Sequence, residues 1–226
     1  MITKESFSSM TNYTEMVDNG DFSQIGVFHT ESAIRINTTE SKCRYLYFTA
    51  SDDWVLSTFT ICVWVYCTRF DYSSLMNLSK TFSKCSTSLE VGTPYMQGYD
   101  VGAYIRATKS YPLNTWTHLA FVRDSNKNHY IFINGELSNT PANFNQSDAY
   151  EDWHNNIIYI GWDGSQSNAY FYGLIDDLVV TKEVLYTSDF TVPDRPMHTL
   201  YPNTTFLLDL YTKEHQLQKS NILKVY

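Results

Sequence analysis

Basic residues are in short supply in this 226-residue chain, which has 16 lysine and arginine residues against 24 aspartate and glutamate residues and a formal net charge of -8. No basic stripe is present that would neutralise phosphates. The sequence therefore indicates neither a nucleic acid nor an anionic membrane surface as a partner. The mild acidic excess favours solubility and selects no particular partner.

Long apolar windows are also missing, so no segment is predicted to cross or insert into a membrane. The first residues, MITKESFSSMTNYTEMV, lack a basic start followed by an apolar core. We therefore predict no signal peptide.

Cysteine pairs with metal-site spacing are absent as well. The four cysteines include no C-x-x-C pair, which argues against zinc. Cys62 and Cys67 are five positions apart on one predicted strand, so they point to opposite faces and cannot bridge each other. We expect free, buried or half-buried thiols.

The most informative feature that is present is residues 113–135, LNTWTHLAFVRDSNKNHYIFING, with two hydrophobic runs around a polar loop. Asn134-Gly135 supplies the positive φ angles that a type I′ hairpin turn needs. Both runs alternate and carry bulky residues on both faces. This pattern predicts strands that are covered on both sides, or that have one face in a binding groove.

Turn residues separate further candidate strands at the spacing of a sandwich, and no long segment has a helical period. One helical turn is predicted at residues 184–186. With no linker-like tract and no internal repeat, residues 1–226 are predicted to form one domain, with its core at about 25–210 and an irregular N-terminal leader. The strongest strand, residues 58–68, is predicted to turn four side chains toward a partner sheet: Phe59, Ile61, Val63 and Val65.

Four sequence blocks together resemble one family. They read YLYFTASDDW, FTICVWVY, LNTWTHLAFVRD with YIFING, and FYGLIDDLVVTKEVLYTSDF. Their order and spacing are similar to those of concanavalin A-like, laminin G-like jelly-roll domains. The stretch YTSDFTVPDRP resembles the ending common in laminin G-like domains of bacteriophage structural proteins, which are tail or decoration proteins. At position 62 this chain has cysteine where the family often has glutamate.

The resemblance implies an all-β fold, a two-sheet antiparallel jelly-roll sandwich of the lectin and glucanase kind. Ligands would bind on the concave face or at its rim. One face of each strand would build the core between the sheets, and the other face of the concave sheet would be wet.

The resemblance also implies a function, a non-enzymatic binding module of a virus or phage particle that recognises a host-surface glycan in adsorption or decorates the particle. Its partners would be a carbohydrate or host surface and other virion proteins, and a homo-oligomer is possible. One alternative is a structural virion assembly domain without sugar binding. Another is a divergent glycoside hydrolase.

Catalytic patterns do not support the hydrolase. Retaining glycosidases need two carboxylates roughly 5 Å apart, which on one strand means alternate residues such as E-x-D-x-x-E. The sequence has no such pattern, no G-x-S-x-G and no H-E-x-x-H. Its acidic pairs are adjacent residues, which point to opposite faces of a regular strand: Asp52-Asp53, Glu151-Asp152 and Asp176-Asp177. We therefore predict that the chain is not an enzyme.

Aromatic and planar polar side chains are the candidate sugar ligands, because sugar rings stack on aromatic planes and their hydroxyls pair with amides and carboxylates. The loop at residues 161–168, GWDGSQSN, is the preferred rim site. Trp162 would stack on the sugar, and Asp163 or Asn168 would bind hydroxyls. The alternative is a solvated connector.

Further aromatic residues are candidates for a sugar-binding face on the strands. The alternative is that these rings pack in the core, and Trp54 and Trp116 are assigned to packing. His118 is predicted to be a hydrogen-bonded structural histidine. These further candidates are Trp64, Tyr66, Tyr104, Tyr170 and Tyr172.

Asp176 is the candidate metal ligand. Spacing by two places it on one face with Leu178 and Val180, which have the character of core residues, so its carboxylate must be paired or metal-bound. In relatives with this strand, the matching aspartate often binds a structural Ca²⁺, a cation that prefers oxygen ligands. The alternative is a carboxylate capped by backbone N–H groups. Asp177 would then point to solvent.

Overall fold

In a computed structural model of the chain, the structure describes residues 22–23, 33–36, 46–50, 54–69, 74–79, 94–98, 103–143, 157–162, 170–193 and 203–208. These residues form β-strands and turns, with no α-helix among them. In chain order the strands are β1 (Phe22–Ser23), β2 (Ala33–Ile36), β3 (Leu46–Thr49), β4 (Phe59–Cys67), β5 (Met76–Ser79), β6 (Tyr95–Gly98), β7 (Ala103–Arg106), β8 (Trp116–Arg123), β9 (Asn128–Ile133), β10 (Glu136–Leu137), β11 (Ala142–Asn143), β12 (Ile157–Ile160), β13 (Gly173–Thr181) and β14 (Thr204–Leu208).

The strands pair antiparallel into one large sheet and two smaller ones. The large sheet runs β1-β2-β13-β4-β8-β9-β10, with β11 beside β9 and β14 beside β13. A small sheet runs β3-β12-β5, and β6 pairs with β7 in a ribbon. The predicted all-β, antiparallel jelly-roll sandwich is confirmed.

The inner face of the large sheet is buried along β4, as the alternation in β4 predicts. Antiparallel register places Ile61 opposite Phe121 of β8 and Val180 of β13 on this face. On the small sheet Ile158 and Ile160 are buried, whereas Ile157 and Tyr159, which alternate with them, are partly exposed. Four β4 side chains of the inner face have no exposed surface: Phe59, Ile61, Val63 and Val65.

The opposite, outer face of the large sheet is partly covered by residues 182–193, which we call the strap. Tyr186 and Phe190 of the strap pack against a cluster of outer-face residues. That cluster consists of Cys62, Ala120, Val122, Tyr130, Phe132 and Val179. The outer face of the large sheet is therefore not open to water where the strap lies.

The strap is extended, and the helical turn predicted at residues 184–186 does not form. The Thr60 hydroxyl of β4 donates to the carbonyl of Glu183 at 2.7 Å and accepts from the N–H of Leu185 at 3.0 Å. Further along, the N–H of Phe190 donates to the carbonyl of Gly135 at 2.9 Å. Contacts with the sheet thus satisfy backbone groups that a helical turn would leave unpaired.

The Asn134-Gly135 turn forms as predicted and joins β9 to β10, with φ angles of 51° and 83°. Ile133 pairs with Glu136 directly across it, which is the register of a two-residue hairpin. A Cβ atom on Gly135 would clash with the carbonyl oxygen of Phe190. Glycine therefore permits both the tight turn and the close approach of the strap.

Strand β13 contains a β-bulge where the sequence predicts a regular strand. Asp176 pairs with Trp64, but the next pair is Val179 with Cys62, so two residues of β13 oppose one of β4. Asp177 within the bulge has a φ angle of 48°. The extra residue shifts the alternation. Asp176 therefore lies on the outer face with Trp64, and the prediction that it shares a face with Val180 is wrong.

Cys62 and Cys67 are free thiols buried in β4, as expected. Burial raises the pKa of Cys62 to about 12, so this thiol is not a reactive thiolate at neutral pH. Within the ranges that the structure describes, no helix is long and apolar enough to cross a membrane.

Candidate functional site

Three aromatic rings meet where β12 ends, and we call Tyr159, Trp162 and Tyr170 the loop patch. The rings of Trp162 and Tyr170 stack with centroids 5.7 Å apart and an interplanar angle of 11°. Tyr159 meets Trp162 edge-on, with centroids 5.1 Å apart and an angle of 77°. The arrangement offers aromatic surface of the kind on which sugar rings stack.

Backbone contacts fix the loop patch in place. Gly161, with a φ angle of 85°, turns the chain directly after β12. Its N–H donates to the carbonyl of Leu75 at 2.9 Å, and its carbonyl accepts from the N–H of Phe171 at 2.9 Å. Trp162 and Tyr170 also form an isolated antiparallel bridge. The backbone on which these rings stand is thus bound to Leu75 and to Phe171.

The burial of the loop patch is intermediate, since all three of its residues are partly exposed. The structure places Trp162 against two tyrosines, so it belongs neither to the core nor to an isolated loop. Asp163 and Asn168, the predicted hydrogen-bonding partners of the sugar, lie outside the described residues.

A second group of partly exposed rings lies on the outer face of the large sheet, away from the residues that the strap covers. Tyr66 of β4 and Trp116 of β8 are directly opposite in the register, with ring centroids 5.7 Å apart and an interplanar angle of 58°. Trp116 was assigned to packing from the sequence, but it is only half-buried. Strand pairing accounts for this position. His118, two residues after Trp116 and on the same face, pairs with Trp64, so Trp116 pairs with Tyr66.

Tyr172 and Arg69 extend this group, and we call Tyr66, Trp116, Tyr172 and Arg69 the sheet patch. The Arg69 guanidinium carbon lies over the Tyr172 ring at 5.0 Å from the centroid, in a cation–π contact. Both the N–H and the hydroxyl of Thr68 donate to the Tyr172 carbonyl, at 2.9 and 3.1 Å. This places Tyr172 diagonally across from Tyr66, within reach of aromatic side chains.

Trp64 lies beside the sheet patch rather than at the surface. Only 8% of it is exposed, and its ring meets the imidazole of His118 edge-on, with centroids 5.3 Å apart. Trp64 is therefore a buried ring that packs against His118. Tyr104, the remaining aromatic candidate, belongs to β7, where it pairs with Gln97 of β6. Trp64 lies within β4 and Tyr172 directly before β13, its neighbour in the large sheet, whereas Trp162 lies in the separate loop patch.

His118 is structural through ring contacts, not through the side-chain hydrogen bond that was predicted. Among the described residues neither of its ring nitrogens has a hydrogen-bond partner, whereas its backbone N–H donates to Asn134 Oδ1 at 2.9 Å. The ring packs edge-on against Trp64 and Phe190. Burial lowers the pKa of His118 to about 4, so the ring is neutral at pH 7.

Asp176 is 1% exposed, and its Oδ1 accepts the backbone N–H of Asp177 at 2.9 Å. This contact agrees with the capped-carboxylate alternative. Asp177 is also buried, so the prediction that it faces solvent is wrong, because the bulge ends the strict alternation of the strand. Within the described ranges no three histidine, cysteine, aspartate or glutamate side chains cluster. A Ca²⁺ ion at Asp176 would then need other oxygen ligands, such as backbone carbonyls.

Comparison with protein families gives a match over more than half of the chain. Residues 41–189 match the family model described as the concanavalin A-like lectin/glucanases superfamily. This range contains both aromatic patches and most of the strap. A comparison with curated protein sequences finds no match.

Solved structures with the same fold are similar at low sequence identity. Domain 4 of AbnA, a GH43 extracellular arabinanase from Geobacillus stearothermophilus, solved with arabinotriose, has a TM-score of 0.55 at 19% identity over 70% of this chain and 73% of that one. A SAP-like pentraxin from Limulus polyphemus has a TM-score of 0.54 at 17% identity over 67% and 76%. The Ruminococcus gnavus IT-sialidase CBM40, bound to alpha2,3 sialyllactose, has 0.51 at 18% over 68% and 91%.

Proposed function

Since the chain belongs to the concanavalin A-like lectin/glucanases superfamily, we propose that it is a non-enzymatic carbohydrate-binding module. Its setting would be a bacteriophage particle, where it recognises a glycan on the host surface. The observation that carries the binding role is the loop patch, in which Trp162 stacks on Tyr170 with both rings partly exposed.

Physical chemistry supports a sugar as the ligand of the loop patch. Large aromatic rings gain most from full burial, yet these three remain partly in water. Backbone bonds fix the Gly161 turn and the three rings pack against one another, so little side-chain freedom is lost on binding. A flat pyranose or furanose ring would cover the exposed aromatic surface with its C–H groups.

The structural relatives add support at the level of ligand class. The arabinanase domain was solved with arabinotriose and the CBM40 with sialyllactose. This fold thus holds saccharides in other proteins.

The phage setting rests on residues 186–196, YTSDFTVPDRP, which resemble the ending of laminin G-like domains in phage structural proteins. Two of these residues, Tyr186 and Phe190, pack the strap onto the sheet. A module with this ending would serve adsorption or decoration of the particle.

The two other functions have less support in the described residues. Asp176 and Asp177 are buried, so they do not form the accessible carboxylate pair of a glycosidase. An assembly surface would be a contiguous apolar patch. Among the described residues the exposed large hydrophobic side chains are three, Val55, Leu113 and Val184, which are too few for a broad apolar surface.

The test is binding of the purified protein to a glycan array, followed by titration of the best ligand into Trp162→Ala and Trp162→Phe. Loss of the stacking ring should lower affinity by on the order of 1–3 kcal/mol, by analogy with base stacking on aromatic side chains. The phenylalanine variant keeps a ring and should retain most of the binding.

Val184→Ala serves as the control, because Val184 is 38% exposed and lies outside the loop patch. Thermal unfolding of each variant separates binding from folding. Unchanged glycan binding by a folded Trp162→Ala protein would contradict a sugar site at the loop patch.

A further inference from the structure

We propose that Asn134-Gly135, the turn between β9 and β10, is a site of spontaneous backbone modification that the strap suppresses. The modification is deamidation, in which the peptide nitrogen of Gly135 attacks the side-chain carboxamide of Asn134. Its isoaspartyl product would in turn release the strap. The observation that carries this is that both turn residues are bound from outside the turn, Asn134 by β8 and Gly135 by Phe190 of the strap. This chemistry is independent of the ligand that the module binds.

The reaction needs nothing beyond the chain and water. The Gly135 nitrogen loses its proton and bonds to Cγ of Asn134, and the carboxamide nitrogen leaves as ammonia. Water then opens the cyclic succinimide at one of its two carbonyls, which gives aspartate or isoaspartate at position 134. Glycine favours the attack because it has no side chain to shield the backbone nitrogen.

The side chain of Asn134 is held toward β8 by a pair of hydrogen bonds with His118. The N–H of Asn134 donates to the His118 carbonyl at 2.8 Å, and Asn134 Oδ1 accepts the N–H of His118 at 2.9 Å. The carboxamide thus takes the place of a backbone carbonyl where the chain leaves β9. Ring closure would take it away from the N–H of a residue with no exposed surface, and an unpaired buried donor is unfavourable.

The peptide of Gly135 is bound by the strap. Its carbonyl accepts the N–H of Phe190 at 2.9 Å, and the Phe190 carbonyl leaves no room for a Cβ atom beside it. Just after the turn, the N–H of Leu137 donates to Asp189 Oδ1 at 2.8 Å. Ring closure requires rotation about the Cα–C bond before Gly135, which would break its contact with the strap. Deamidation should therefore proceed in molecules whose strap has opened locally.

The two products should differ in their effect on the strap. Aspartate keeps the backbone and an oxygen that accepts the His118 N–H, and Asp-Gly is itself a favoured type I′ pair. Isoaspartate instead routes the chain through the side chain and adds a methylene to the backbone of a two-residue turn. The Gly135 carbonyl would then be displaced from the N–H of Phe190, so the strap would lose this attachment.

The experiment follows deamidation of the full chain at neutral pH by peptide mass spectrometry, with fragmentation that separates aspartate from isoaspartate. The other Asn-Gly pair of the sequence, Asn19-Gly20, is the chemical reference in urea, where both pairs should react at similar rates. Without urea, Asn134 should react at least about tenfold more slowly than in urea, because only the open fraction reacts.

Two variants loosen the strap without changing the Asn-Gly pair. Thr60→Val removes a hydroxyl that binds the strap but keeps a β-branched shape, and Asp189→Ala removes the acceptor of the Leu137 N–H. Each should raise the deamidation rate of Asn134 without urea and speed protease cleavage of residues 182–193. Val184→Ala, at an exposed strap position, is the control and should change neither rate. Should Thr60→Val not fold, the exposed Asp189 still provides the test.

The isolated isoaspartate form should be cleaved in residues 182–193 faster than the original protein, whereas Asn134→Asp should be cleaved at the original rate. Three results would overturn the proposal. The first is equal deamidation of Asn134 with and without urea. The second is a rate without urea that neither Thr60→Val nor Asp189→Ala raises. The third is an isoaspartate form whose strap is cleaved no faster than that of Asn134→Asp.

Discussion

The imidazole of His118 meets the ring of Phe190 edge-on, with centroids 5.9 Å apart and an interplanar angle of 82°. Phe190 belongs to the strap, whereas His118 lies in β8 beside Trp64. The titratable imidazole of His118 is therefore enclosed between Phe190 of the strap and Trp64 of β4. Any proton added to this ring would be placed among aromatic neighbours.

The first prediction is that the protein loses stability in mild acid. Burial lowers the pKa of His118 from 6.5 to about 4. Burial and the charge of Arg123 lower that of His129 to about 4 as well. Below pH 6.5 these two histidines bind protons in the unfolded chain, whereas in the folded chain they bind them only near pH 4. The free energy of unfolding should thus fall between these values, by up to roughly 3 kcal/mol per histidine.

Urea unfolding at several pH values between 7 and 4 checks this prediction. His118→Gln, which stays neutral, should flatten part of the dependence, and an exposed change such as Val55→Ala should leave it intact. A free energy of unfolding that stays constant from pH 6.5 to 4 would show that the imidazoles are accessible to protons in the folded state.

The second prediction concerns the inner face of β4. Ile61 has no exposed surface and lies opposite Phe121, so Ile61→Ala removes packed methyl groups and leaves a cavity. Its cost should be roughly 2–5 kcal/mol of unfolding free energy. Val55→Ala, at a side chain that is 45% exposed, is the control and should cost little. Chemical denaturation measures both, and similar small losses would mean that the strand register is wrong.

The third prediction concerns the turn that receives the strap. Gly135→Ala should cost at least about 1–2 kcal/mol, because alanine is strained at a φ angle of 83° and its Cβ would displace the Phe190 carbonyl. Glu136→Ala is the neighbouring control. Its ion pair with Lys109 is exposed, so it should cost little.

Limited proteolysis locates the effect of this change. Loss of the Gly135 contact should make residues 182–193 more susceptible to cleavage. The Glu136→Ala control should be cleaved at the same rate as the original protein. Equal protection of the strap in both variants would argue that the strap does not depend on this contact.

The fourth prediction keeps the calcium hypothesis. If Asp176 binds Ca²⁺, the ion stabilises the folded state, so the melting temperature rises with added Ca²⁺ and falls with EDTA. Asp176→Asn should remove the response. Mg²⁺ at the same concentration is the matched control, since it demands smaller, near-octahedral sites. A melting temperature indifferent to both reagents, in protein verified to be metal-free, would leave the carboxylate capped by the backbone.

The strands that the sequence predicts well are those where a single rule applies along the whole segment. In β4, strict alternation identifies the buried face, because a residue at each second position meets the same environment. At Asn134-Gly135, local backbone preference alone determines the turn. Neither prediction requires knowledge of a distant partner.

The features that the sequence does not reveal depend on distant segments. The bulge at Asp177 changes which face Asp176 occupies, and alternation carries no signal of an inserted residue. The strap is extended because Thr60, more than a hundred residues away, binds Glu183 and Leu185. Trp116 becomes a candidate ligand only when the register sets it opposite the half-exposed Tyr66.

The place of β13 in the large sheet also affects how the chain reaches its folded state. β8, β9 and β10 are neighbours in both chain order and space, so they can pair early through short loops, whereas β4 reaches β8 across the segment that contains β5, β6 and β7. The other edge of β4 pairs with β13, residues 173–181, which is made later. The nearby hydrogen bond from Thr60 to Glu183 joins residues that are 123 positions apart in the chain. A newly made chain therefore carries an unpaired hydrophobic strand edge, the kind of surface that promotes aggregation, until β13 fills the gap.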